Sequence, residues 1–168
     1  EKPALPENIE FSYYEDLVDR GDDTYQWCPP EDEWQALTLN YTSGTTGLPK
    51  GVVYHHRGSY LMTMGTVISW ALPPHPRYLY TVPMFHCNGW GHAWTMTALA
   101  ATVVCIRAFV PKLFFELAAE HEITHFGGAP IVLNMLANAP AEEQKKFDHK
   151  IYAMTAGAPP PAKVLESM

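Results

Sequence analysis

Apolar positions along the chain fall into short runs divided by turn residues, and their spacing switches between strand-like alternation and helical recurrence. Residues 36–42, ALTLNYT, read as a buried strand, and 51–55, GVVYH, as a second strand. Over 56–72, Tyr60, Leu61, Met64, Val67, Ile68 and Ala71 recur at helical spacing, and Pro73, Pro74 and Pro76 end that helix. The chain then alternates. Strands are expected at 78–82, 102–106, 123–126 and 150–155, with helices at 88–101, 111–121, 130–138 and from 160 onward. Asn88 suits an N-cap, and Pro111 suits the first turn of its helix. Residues 1–18 suggest a short helix or turn. Residues 19–35, acidic and proline-bearing, read as an exposed connection.

Alternating strands and helices imply an α/β fold, a mostly parallel sheet with flanking helices. Ligands of such sheets sit beyond the carboxyl ends of the strands. Three unusual stretches are expected there: 42–51, 83–90 and 155–160.

Composition narrows the function. With 168 residues, 47% of them hydrophobic and 17% charged, the chain has material for a core and too little charge for disorder. A formal net charge of −7 argues against nucleic acid as a partner, so an anionic ligand would have to be held by local donors. Three widely spaced cysteines, Cys28, Cys87 and Cys105, form neither a disulfide framework nor a zinc pattern and fit a reducing cytoplasm. No apolar run reaches the roughly 18 residues of a membrane span. His55, His56, His86 and His92 follow no standard zinc spacing, and adjacent histidines on a strand point to opposite faces.

The stretch YTSGTTGLPKG, residues 41–51, carries the chemistry. Gly44, Gly47 and Gly51 allow successive backbone N–H groups to converge on one anion. Thr42, Ser43, Thr45 and Thr46 add hydroxyl donors. No residue from Trp34 to Pro49 is charged, and Lys50 then supplies one compact cation, suited to phosphate. The plain alternative is a flexible loop between two strands. A Walker A loop is disfavoured, because Pro49 precedes the lysine and Gly51 follows it, and because the loop joins two strands.

This stretch resembles the AMP-binding signature of adenylate-forming enzymes, the superfamily of acyl-CoA synthetases, luciferases and peptide-synthetase adenylation domains. Two further segments match in order. PMFHCNGW, 83–90, is similar to the second core motif of the acyl-CoA synthetase branch, including medium-chain and methylmercaptopropionyl-CoA ligases. The resemblance puts His86 where carboxylate meets α-phosphate, Cys87 beside the nucleotide, and Trp90 as a gate on the acyl tunnel. By helical spacing, Trp90, Trp94 and Thr97 would share one face, where tryptophans are also ordinary core residues. TAGAPP, 155–160, is similar to the turn that packs on adenine, through Ala156, Gly157 and Ala158. Gly127-Gly128 resembles an acyl-pocket segment, with Gly128 on the substrate.

The resemblance implies the central portion of the large N-terminal AMP-binding domain over 36–168, with 1–35 as a connecting segment. It implies ATP and magnesium as reactants, Thr42 as a magnesium contact, Lys50 and His86 in catalysis, and coenzyme A as acceptor of a linear aliphatic acyl group. The family's Tyr-Gly-x-Thr-Glu and Thr-Gly-Asp segments and its C-terminal domain find no match here. The chain is therefore expected to be part of a longer enzyme and not to complete adenylation alone. A homodimer is compatible with this. A nucleotide-binding module without catalysis, and adenylation for another acceptor, stay open.

Overall fold

A computed structural model describes residues 12–42 and 47–167. The chain divides into two compact units at Glu31/Asp32. In the first, α1 (Tyr14–Asp19) is followed by a turn in which Asp22 accepts hydrogen bonds from the backbone and hydroxyl of Thr24.

The second unit contains a four-stranded sheet in the order β4-β3-β5-β6. The strands are β3 (Arg77–Tyr80), β4 (Thr102–Cys105), β5 (His125–Gly127) and β6 (Tyr152–Met154). All three pairings are parallel, as the alternating pattern predicts. Parallel neighbours need crossover connections, and these come from α4 (His92–Ala98), α5 (Pro111–Glu120) and α6 (Pro130–Ala137). Pro111 and Pro130 each stand in a first helical turn, where a missing N–H costs nothing.

Side chains of β3 alternate between two cores. Leu79 joins Phe114, Ile123, Phe126 and Leu133 under α5 and α6. Tyr78 and Tyr80 join Leu72, Val82 and Met96 on the other face, with α2 (His56–Ser69) and α4. A sheet covered on both faces must carry apolar residues in both phases, which explains the continuous YLY run. The final helix, α7 (Ala162–Ser167), adds Val164 to the first core.

The strand expected at 36–42 is present, but it is neither buried nor part of the parallel sheet. It is β1 (Ala36–Thr42), paired antiparallel with β2 (Lys50–His55) in a separate hairpin. With one partner strand each, both keep open faces, and Leu39, Tyr41 and Val53 are more than half exposed. The 42–51 stretch therefore does not follow a strand of the main sheet. His55 ends β2 and caps α2, its Nδ1 accepting from the Gly58 N–H at 3.0 Å. Trp34 packs on the His55 ring at 4.8 Å, so this histidine has a structural task.

The helix expected over 88–101 is broken. Five consecutive residues, Cys87, Asn88, Gly89, Trp90 and Gly91, have positive φ between 44° and 69°. They form a single left-handed turn, α3 (Cys87–Trp90), and α4 starts only after Gly91. Asn88 is consequently not the N-cap. Trp90 lies outside α4 and shares no helical face with Trp94 and Thr97. Right-handed continuation is the default for L-residues, so spacing alone could not reveal the reversal.

Candidate active site

The hairpin brings Thr42 opposite Lys50 at its mouth, both exposed. Ser43, Gly44, Thr45 and Thr46 lie outside the described residues. Gly47 has φ +148° and open space around it, so its need is conformational and not steric.

The left-handed turn is held at several points. The His86 N–H donates to the Pro83 carbonyl at 3.0 Å, and the Gly89 N–H donates to the His86 carbonyl at 2.8 Å. The Tyr80 hydroxyl donates to the Gly89 carbonyl at 3.2 Å, and a Cβ on Gly89 would collide with that hydroxyl. Asn88 Oδ1 accepts from Thr38 Oγ1 at 2.8 Å and from Asn40 Nδ2 at 2.7 Å, joining the turn to β1. His86 and Cys87 are exposed on this turn, and Trp90 is half-buried against His92 with ring centroids 5.8 Å apart. A cavity of about 370 Å³ opens beside it, lined by Val53, Tyr54, Ser59, Met62, Cys87 and Trp90. Burial, and secondarily Cys87, raises the Tyr54 phenol above its usual range.

Gly127 and Gly128 are buried at the carboxyl end of β5. A Cβ on Gly127 would meet His92 Cε1 at 2.9 Å, and one on Gly128 would meet Val132 Cγ1 at 2.9 Å. Gly128 is thus packed against its own helix, and its N–H donates to the Met154 carbonyl at 2.9 Å. That bond sets the 127–130 turn beside the start of the 155–160 loop. Ala156, Gly157 and Ala158 are exposed there, with Gly157 at φ +90° and nothing near its Cβ position. The bare backbone of such a loop can lie against a flat ring. The adjacent Thr155 Oγ1 is buried and has no partner among the described residues.

Behind these loops lies a polar pair that the sequence reading missed. His92 is fully buried, with its Nδ1 2.5 Å from the Tyr78 hydroxyl and its Nε2 unpartnered among the described residues. Burial lowers its pKa to about 4, and burial raises the Tyr78 phenol far above the usual range, Tyr80 adding to it. The signal was present in two tyrosines on a strand with no polar phase, followed by a histidine on an apolar helix. The structure thus gathers Cys87 and Trp90 around one cavity, ties Asn88 to the hairpin bearing Thr42 and Lys50, and sets Gly128 beside the Ala156–Ala158 loop.

A family model described as "AMP-binding enzyme" matches residues 4–168. The 2-methylpropanoate--CoA ligase CCL4 of Humulus lupulus is 50% identical over 155 residues, covering 92% of this chain and 28% of the relative. The peroxisomal acetate/butyrate--CoA ligase AAE7 of Arabidopsis thaliana is 47% identical over 156 residues, covering 92% and 27%. Among solved structures, o-succinylbenzoate coenzyme A synthetase (MenE) of Bacillus subtilis, in complex with ATP and magnesium ion, superposes with a TM-score of 0.78 at 25% identity, over 91% of this chain and 32% of that one. The chain spans under a third of the length of these relatives. With its motifs in family order and a family model matched over nearly its whole length, the chain belongs to the AMP-binding enzyme family.

Proposed function

We propose that the whole protein activates a small aliphatic carboxylic acid with magnesium–ATP and passes the acyl group to coenzyme A. Residues 36–168 would be the central portion of its AMP-binding domain, with 1–35 as the connecting segment. In the first step a carboxylate oxygen attacks the α-phosphorus, the bond to the β-phosphate bridging oxygen breaks, and pyrophosphate leaves. In the second the coenzyme A thiol, losing its proton, attacks the acyl carbonyl, and AMP leaves with the oxygen that came from the acid.

Both reactants of the first step are anions, so the protein's work is charge neutralisation and alignment. Lys50 and the hydroxyl and N–H donors of residues 42–47 would hold the departing pyrophosphate. Thr42 would offer magnesium one hydroxyl, a single oxygen ligand, and the ion would supply charge neutralisation at the phosphates. His86 would face the reacting carboxylate and α-phosphate, and Cys87 with Ala156, Gly157 and Ala158 would border the nucleotide. Two features support that fit: the open backbone at Gly157 and the orphaned Thr155 hydroxyl next to it. Trp90 and Gly128 would border the acyl chain. The names of the Humulus and Arabidopsis relatives, which state small acids, favour a small aliphatic substrate.

Among the described residues, no helix is long and apolar enough to cross a membrane. All three cysteines are free, which suits a reducing compartment such as the cytoplasm, or the peroxisome named for one relative.

The observation that carries the proposal is the Asn88 link between the hairpin holding Thr42 and Lys50 and the turn holding His86 and Trp90. Acid-dependent exchange of labelled pyrophosphate into ATP by the whole protein tests it. Exchange with small aliphatic acids is expected. Absence of exchange with every acid would leave only a nucleotide-binding module, and exchange without thioester formation would point to another acceptor.

A further inference from the structure

The turn at 87–91 places three residues other than glycine, Cys87, Asn88 and Trp90, in the left-handed region, a conformation L-residues avoid. Such a turn persists only where its surroundings hold it. Asn88, at φ 44° and ψ 49°, is the residue type best suited to that region besides glycine, and its side chain takes two hydrogen bonds from the hairpin strand β1, beside the contact that Cys87 makes with Tyr54 on β2. Its Oδ1 takes both lone-pair bonds from β1, and Asn40 Nδ2 also reaches Thr38 Oγ1 at 3.1 Å, closing a three-residue network. The donors stand two and four positions before Thr42, while the acceptor stands two after His86 and two before Trp90.

We propose that Asn88 is a positioning residue: its side-chain carbonyl clamps the left-handed turn to β1, so that the phosphate end and the carboxylate end of the active site are held in register. This rests on the acyl-activating reading above. Both lone pairs of the Asn88 Oδ1 are taken by β1 donors, which leaves that oxygen none for a reactant. The clamp acts through the segments on either side of it, and its effect therefore belongs to alignment and not to binding. Misplacement of one reactant by about 1 Å can cost on the order of a hundredfold in rate.

The test uses the whole protein and acid-dependent pyrophosphate exchange. Asn88→Gly removes the clamp yet tolerates the left-handed backbone, so it should fold. Thr38→Val with Asn40→Leu cuts the same bonds from the hairpin side without touching the turn. Each should lower kcat by about tenfold or more, with KM for ATP and acid changed less than threefold, and the combined variant should be no worse than the poorer of the two. Unchanged kcat in Asn88→Gly, or multiplying losses in the combined variant, would overturn the clamp. So would a loss confined to KM. The parent protein is the control for the underlying function: if it shows no exchange, the acyl-activating reading has failed, whereas exchange at the parent's rate in all three variants overturns only the clamp.

Discussion

The Tyr78 hydroxyl and His92 Nδ1 lie 2.5 Å apart between β3 and α4, and neither side chain reaches solvent. A neutral imidazole fits this place and an imidazolium does not, because its second N–H would have no partner. The folded pKa of His92 is lowered by burial to about 4, from an ordinary 6.5. Between those values the unfolded chain binds more protons than the folded one. Stability from this group is therefore fully present above pH 6.5 and is lost as pH falls toward 4, by up to about 3 kcal/mol. His125, lowered by burial as well, adds in the same direction. His92→Phe should flatten the pH dependence of the unfolding free energy across that window. Denaturant titrations at several pH values check this, and an identical slope in parent and variant would contradict it.

Gly91 carries a different constraint. Its φ is +69°, and a Cβ there would come within 2.8 Å of Met62 Sδ and nearer still to Met62 Cε. Gly91→Ala should cost about 1–2 kcal/mol for the left-handed backbone and little beyond it for the contact, because the Met62 thioether is the flexible end of an exposed side chain and can turn away. Adding Met62→Ala should therefore recover almost none of the loss, which lies in the backbone. Thermal melts of the single and double variants check this. Full recovery in the double variant would mean that the backbone carries no strain.

Much of this architecture is legible in the sequence. Each strand of the parallel sheet overlaps the range that alternation of period predicts, although β5 runs His125–Gly127 against an expected 123–126, and Pro111 and Pro130 open their helices as expected. Two features escape for stated reasons. The apolar run 36–42 looks like a buried strand, because period cannot tell a sheet interior from a hairpin that keeps an open face. The NGWG stretch looks like the start of a helix, because its handedness is set by Tyr80 on Gly89, Met62 on Gly91 and the two bonds to Asn88, all distant in sequence. The candidate chemistry of residues 42–51 was read from residue types. The polar pair behind it was not, since Tyr78 and His92 become partners only in the folded sheet.

Lys50 is the first cation after an uncharged stretch, and it sits at the mouth of the hairpin. Lys50→Ala should slow pyrophosphate exchange by about 10–100-fold, equivalent to one charge-assisted contact of roughly 1.5–3 kcal/mol, and should barely change binding of the acid. Exchange kinetics over a range of ATP concentrations give the answer. Unchanged exchange at every concentration would remove Lys50 from the site.

Trp90 borders the cavity beside Cys87 and rests its ring on His92. If it gates the acyl chain, Trp90→Ala should broaden the range of acids accepted and leave ATP affinity nearly intact. If it is only packing, the same change should cost about 3–5 kcal/mol of stability with no shift in preference. A melting curve measured beside a substrate profile separates the two. A large fall in melting temperature with the parent's profile would contradict the gating role.

In the proposed reaction a carboxylate oxygen of the substrate attacks the α-phosphorus of ATP. Supplying the whole protein with magnesium–ATP, coenzyme A and a small aliphatic acid enriched in heavy oxygen on its carboxylate tests this directly, with the nucleotide product read by mass spectrometry. AMP carrying one heavy oxygen atom is expected, formed together with the acyl-CoA thioester. Unlabelled AMP, or release of ADP in place of AMP, would contradict it.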